Sequence, residues 1–276
     1  MTAISSLQAQ VSGSSFYAGM RVLPKAEREA MYAVYAFCRA VDDIADDEEG
    51  SRADRALALD AWRADIEALY AGGAPGRAVI VADAVAQFGL AKADFLAVID
   101  GMAMDVADYI RWPTLAVLDL YCDRVASAVG RLSVRIFGMD ETAGIDLAFH
   151  LGRALQLTNI LRDLDEDAAI GRVYMAAEPL LAAGIVLTTP LEVIGDPRIE
   201  LACRELAKIA HGHYAAANAI LARRPKGHLI APRLMSAIYG KILRQMEAVG
   251  WGAPRERVRV NKVALILTVV RLSLIR

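Results

Sequence analysis

The chain has 276 residues, 56% of them hydrophobic and 23% charged, with a formal net charge of −2. That length and apolar content suit one large core, and the near-neutral charge gives no basic field of the kind that binds nucleic acid by counterion release, so no nucleic-acid partner is expected. Cys38, Cys122 and Cys203 are odd in number and widely spaced, which fits buried thiols in a reducing, cytoplasmic setting and excludes a disulfide or zinc framework.

In chain order, Met1 to Ser15 lacks the basic and apolar regions of a secretory signal, so no export is expected. Pro24 opens a helix in which Met31, Val34, Tyr35, Cys38 and Val41 recur at helical spacing. It ends in a first acidic string, Arg39-Ala-Val-Asp42-Asp43-Ile-Ala-Asp46-Asp47, whose Arg39, Asp42, Asp43 and Asp46 share one face. Gly72-Gly73 and Pro75-Gly76 form a loop, and Val79 to Val81 reads as helix because strand-like alternation is nowhere sustained. Pro113 and Pro190 open further helices. Between them lies a second acidic string, Gln156-Leu-Thr-Asn159-Ile-Leu-Arg162-Asp163-Leu-Asp-Glu166-Asp167, with Gln156, Asn159, Asp163 and Asp167 on a common face.

Gly250 to Pro254 separates the last two helices, the final one spanning roughly residues 258–274 by periodicity. Its apolar centre, Val263 to Val270, is bracketed by Lys262 and Arg271, far short of the about 20 apolar residues a membrane span needs. Core packing is the commoner use of such a helix; weak, salt-sensitive peripheral contact with the inner membrane is the alternative. The whole reads as roughly nine or ten helices with no sheet. No linker divides the chain, so one domain over residues 1–276 is expected, and neither dinucleotide nor Walker fingerprints occur.

A single acidic run is usually a solvated helix end. Carboxylates in a last helical turn oppose the macrodipole at a cost of about 0.3–1 kcal/mol each, so two such clusters beside apolar stretches call for a cation. Asp at i and i+4 offers oxygen ligands one turn apart, which suits Mg²⁺ shared with substrate phosphates. Two such pairs on facing helices would clamp a diphosphate. A di-iron bundle would need Glu-x-x-His on two helices. None of His150, His211, His213 and His228 follows a Glu at that spacing, so surface or core roles are expected for them.

With both acidic strings in hand, the sequence resembles the squalene/phytoene synthase family, the head-to-head prenyl synthases. The likeness runs from Ser14-Ser15-Phe16-Tyr17 to about Val260 and rests on long strings: Met31 to Asp46, Tyr121 to Gly130 and Gln156 to Asp163. It implies an all-α, single-domain isoprenoid synthase bundle with a central apolar cavity. It also implies that Asp42, Asp46, Asn159, Asp163 and Asp167 hold Mg²⁺ and the diphosphates, and that Ser15, Arg39, Arg172 and Arg257 contact phosphate oxygens. By the same resemblance Tyr35, Tyr121, Tyr174 and Tyr239 stand near the reacting carbons or the diphosphates, and Val125, Val129, Gly130 and Gln156 line the prenyl pocket. Three places depart from the usual pattern: Asp123 for a frequent Tyr, Ala103 for a frequent Glu, and Met175-Ala176 for Leu-Pro.

Within the family, the strings Ser14 to Pro24, Ile99 to Met102 and Arg233 to Tyr239 look like the bacterial hopanoid-pathway subgroup. That likeness implies condensation of two farnesyl diphosphates to presqualene diphosphate, with other enzymes of that pathway as functional partners. A phytoene synthase, a full squalene synthase using NADPH, and a non-catalytic assembly partner are the alternatives.

Overall fold

The computed structural model describes residues 20–21, 23–47, 50–108 and 110–258. Ser15 and the residues of the expected final helix beyond Val258 lie outside them. Among the described residues there are twelve α-helices and no strand, and the one isolated bridge joins Arg111 to Val173. The helices are α1 (Lys25–Ala45), α2 (Arg52–Tyr70), α3 (Val79–Phe88), α4 (Lys92–Ala107), α5 (Leu115–Cys122), α6 (Ala128–Ile136), α7 (Glu141–Arg162), α8 (Leu164–Ala169), α9 (Ala177–Ala182), α10 (Pro190–Gly195), α11 (Ile199–Ala222) and α12 (Ile230–Val249). Twelve exceeds the nine or ten read from periodicity because α8, α9 and α10 have six residues each, under two turns. No described helix is long and apolar enough to cross a membrane.

Local chemistry sets the ends of these helices. Ser51 and Thr114 cap α2 and α5, their side chains accepting from the N–H of Asp54 and Val117, which satisfies one orphan donor each. Thr189 and Glu192 form a capping box at α10, with Pro190 in its first turn. Pro113 thus precedes the cap of α5 and does not open the helix itself.

Two apolar clusters fill the interior. One gathers α1 to α4 with α6, around Val34, Phe37, Phe95 and Leu132. The other gathers α7, α11 and α12, around Leu147, Ala154, Leu206 and Leu234. Phe37 sits edge-on to both Trp62 and Phe95, at 5.5 and 5.1 Å between ring centres, a favoured aromatic arrangement. Val125 and Met139 pack against both clusters, and the space between them is the cavity described below.

Val125 belongs to a π-helical turn, Asp123–Ser127, inserted between α5 and α6. Such turns are rare and are frequent at functional sites. Here Arg153 of α7, 4% exposed, donates to both oxygens of Asp119 at 2.6 and 2.9 Å, to Asp123 at 3.1 Å and to Ser127 Oγ at 3.0 Å. Arg131 reaches Asp123 at 3.1 Å and the buried Asp94 at 2.5 Å. Asp123, the departure from the family pattern, is therefore the shared acceptor of two arginines. The turn can lie this close to α7 because residue 152 is Gly: a Cβ there would meet the Ser127 backbone at 2.7 Å.

Beside this network His150 and His213 face each other, Nδ1 to Nδ1 at 3.0 Å; His211 meets Glu247 at 2.9 Å and His228 meets Glu27 at 3.5 Å. Burial, then His150 and Arg153, hold the His213 pKa below its usual value. A depressed base favours the folded state above the unfolded pKa near 6.5 and loses that contribution as pH falls below it. The raised pKa of Asp42 and Asp167 works in the opposite direction, so the histidine is isolated by difference. His213→Asn is expected to lose less melting temperature than the wild type between pH 7.5 and about 5.5; parallel pH profiles would contradict it.

Candidate active site

Both acidic strings lie where helices end. Asp42 is in the last turn of α1, and Asp46 caps it. Asp163 caps α7, its backbone at φ −105° and ψ 22° breaking the helix before α8 begins at Leu164. The sequence expectation of one continuous face through Asp167 is corrected here: Asp167 belongs to α8. The break is slight, since the Asp167 N–H still donates to the Asp163 carbonyl at 2.9 Å, so the two carboxylates stay about one turn apart.

After α8 the chain reverses at Gly171, with φ +82°. Gly171 N–H donates to Ala168 O and Arg172 N–H to Asp167 O, a Schellman pattern that requires the left-handed conformation glycine adopts without penalty. The reversal sends Arg172, 8% exposed, back across the site. Its Nη1 donates to Asp46 at 2.8 Å and its Nη2 to Ala45 O at 3.1 Å, joining the region of the second string to the end of the first. The Arg111–Val173 bridge fastens this segment, through Trp112 N–H to Val173 O and Val173 N–H to Ile110 O, each 2.8 Å.

Other arginines hold the remaining carboxylates. Arg39 pairs with Asp42 at 3.1 Å and Asp43 at 2.7 Å. Arg162 grips Asp163 with two bonds of 2.7 and 2.6 Å. Arg257 reaches Asp163 at 2.8 Å and Glu166 at 3.3 Å. Burial and then Asp46 push the Asp42 pKa up to about 6. Burial and then Asp163 push Asp167 up to about 7. These are carboxylates short of positive charge.

An apolar cavity of about 280 Å³ adjoins them. Its wall includes Tyr35 and Cys38 on α1, Gln156 and Asn159 on α7, and Val125, Val129 and Gly130 of the π-turn and α6. Cys38 precedes Asp42 by one turn and Asn159 precedes Asp163 by one turn, so this end of the cavity lies beside both acidic strings. Its lining is otherwise made by side chains such as Met31, Val34, Leu151 and Met235. Gly130 allows α6 to approach α7, since a Cβ there would sit 3.0 Å from Ala148 Cβ.

Of the four tyrosines, Tyr35 is in the cavity wall, and Tyr239 is buried beside Arg162. Tyr121 and Tyr174 stack at 5.0 Å and 24°. Both donate to a residue that sequence reasoning missed: Tyr174 to Asp105 Oδ1 at 2.6 Å, and Tyr121 to Asp105 Oδ2 at 3.1 Å. Asp105 is 6% exposed. It lies near both strings, because Tyr174, which binds it, follows Arg172 by two residues, and Arg172 joins the region of the second string to Asp46 of the first. The available signal was its register: Val98, Met102, Asp105 and Val106 form the buried stripe of α4, and an acid on such a stripe needs partners or a function.

Among the described residues no group of three or more His, Cys, Asp or Glu is placed to hold a metal by itself. The donor set nevertheless fits Mg²⁺, which binds through one or two carboxylates while phosphates and water complete its shell. Asn159 Oδ1 is buried with no hydrogen-bond partner, an oxygen available to a hard cation.

The squalene/phytoene synthase family model matches residues 9–264. The presqualene diphosphate synthase of Zymomonas mobilis is 62% identical over 269 residues, 96% of this chain and 92% of that protein. That of Rhodopseudomonas palustris is 51% identical over 263 residues, 95% of this chain and 94% of that protein. In three dimensions, a dehydrosqualene synthase crystallised with a ligand superposes with a TM-score of 0.85 over 99% of this chain and 95% of that one, at 24% identity, a likeness of fold. Matched along nearly its whole length, the chain belongs to the squalene/phytoene synthase family.

Proposed function

We propose that this enzyme joins two farnesyl diphosphates head to head, releasing diphosphate and forming presqualene diphosphate. The observation that carries this reading is the placing of two acidic helix ends beside the polar end of one apolar cavity. Asp42, Asp46, Asn159, Asp163 and Asp167 would hold Mg²⁺, which neutralises the charge of the departing diphosphate. Arg39, Arg172 and Arg257, now paired with Asp42, Asp46 and Asp163, would exchange those carboxylates for phosphate oxygens, which suit the guanidinium fork.

The cavity wall has two tasks. Apolar residues hold a prenyl chain extended and keep water from the allylic cation. Alignment of that cation with the 2,3-double bond of the second substrate then makes the carbon–carbon step effectively unimolecular. Identity above one half to two presqualene diphosphate synthases over nearly the full chain supports this product over a longer-chain one. The test is product analysis: purified protein with farnesyl diphosphate and Mg²⁺ is expected to accumulate presqualene diphosphate, and NADPH is not expected to convert it to squalene. Squalene formed with NADPH, or efficient phytoene formation from geranylgeranyl diphosphate, would overturn the product assignment.

A further inference from the structure

Asp105 is an odd choice for packing alone. A carboxylate has about four lone-pair sites, and hydrogen bonds from Tyr121 and Tyr174 fill two of them. The two hydroxyls take one oxygen each, an arrangement a carboxylate can accept and an amide, with one oxygen and one NH2, cannot reproduce without turning a hydroxyl around. The carboxylate also brings a buried negative charge close to the acidic strings, since Tyr174, which binds it, lies two residues beyond Arg172, the partner of Asp46. Such a conflict between local stability and residue choice marks a group kept for its chemistry.

The surrounding geometry brings it close behind the cavity wall. Tyr121 stands one turn before Val125, which is in the cavity wall, and its hydroxyl donates directly to Asp105 Oδ2. Tyr174 stacks on Tyr121 and binds the other oxygen, fixing the carboxylate's orientation. The three residues come from α4, α5 and the loop after α8, so no one helix imposes the arrangement.

Resting on the function proposed above, we propose that Asp105 accepts, through Tyr121, the proton lost when the cyclopropane ring closes. A C–H bond on the carbon that lost diphosphate, now joined to C2 of the second substrate, breaks, and its electron pair forms the bond from that carbon to the tertiary cation at C3, the third bond of the ring. The proton passes to the phenol oxygen of Tyr121 as the Tyr121 hydroxyl proton moves to Asp105. Cation and carboxylate become a neutral ring and a neutral acid, with no oxidant or reductant required. Asp105 is thus a positioning and proton-accepting residue that acts through Tyr121, and Tyr174 holds it in place.

The experiment separates ionisation from ring closure. Farnesyl diphosphate carrying ¹⁸O at the bridging position is given, with Mg²⁺, to wild type, Asp105→Asn and Tyr121→Phe. Ionisation is read as label scrambling plus farnesol-type alcohols, and ring closure as presqualene diphosphate. In both variants ring closure is expected to fall at least about 100-fold, the scale of a lost proton transfer. Ionisation and KM are expected to stay within about 5-fold of wild type. Loss of ionisation and ring closure together would assign Asp105 a structural or charge-balancing role and overturn the proposal, as would Asp105→Asn turning over within about 3-fold of wild type. Should thermal shift show Asp105→Asn unfolded, Tyr121→Phe decides by the same two outcomes. Wild-type protein that releases no diphosphate would overturn the functional reading itself, which the control arm shows separately.

Discussion

Asp42→Asn and Asp163→Asn are each expected to leave the protein folded and to lower turnover by at least about 100-fold, the scale on which leaving-group stabilisation by a preorganised site acts. The amide keeps the shape of the carboxylate and removes its charge. At Asp42 the charge is a burden to the free protein, since burial and Asp46 push its pKa up to about 6. Its loss should therefore leave the melting temperature unchanged or slightly higher, while activity falls. That pairing of stability with inactivity is the signature of a residue retained for function. Chelation by EDTA should abolish wild-type activity, and added Mg²⁺ should restore it. A folded variant with near-normal turnover would sink the metal clamp.

The acidic strings were legible because helical spacing is local: residues four apart stack whatever else the chain does. What spacing could not give was the partner of each charge. Arg172 lies 126 residues from Asp46 in sequence yet donates to it at 2.8 Å, a contact set by the turn at Gly171 and the Arg111–Val173 bridge. Asp105 escaped for the opposite reason, because it obeys the periodicity of α4 and looks like one more stripe position until its tyrosine partners from elsewhere in the fold are seen. The helix break at Asp163 was likewise invisible, since the residues around it keep helical spacing and the backbone bond from Asp167 to Asp163 survives. The short helices α8 to α10 carry too few residues for a periodic signal.

The π-turn shows how an element far from the charges shapes the cavity, and Arg153 is the residue on which it depends. Its guanidinium binds Asp119, Asp123 and Ser127 and lies 3.6 Å from the centre of the Phe149 ring. Arg153→Ala deletes these charge-assisted bonds, which are worth about 1.5–3 kcal/mol apiece when buried. The stranded acceptors moderate the loss: the Asp119 side chain is 56% exposed, and Asp123 keeps Arg131. The expected cost is therefore about 2–4 kcal/mol, below the upper range for a broken buried pair. Arg135→Ala provides the contrast, because its pair with Glu141 is exposed on both sides and should cost at most about 1 kcal/mol. The large loss should also reach function, since Val125 and Ala126 of the turn line the cavity. KM for the prenyl substrate should rise in Arg153→Ala at temperatures where the variant is still folded. Urea unfolding of the two variants checks the energies, and a cost for Arg153→Ala no larger than that for Arg135→Ala would mean that the π-turn is held by packing around Gly152 and not by its charges.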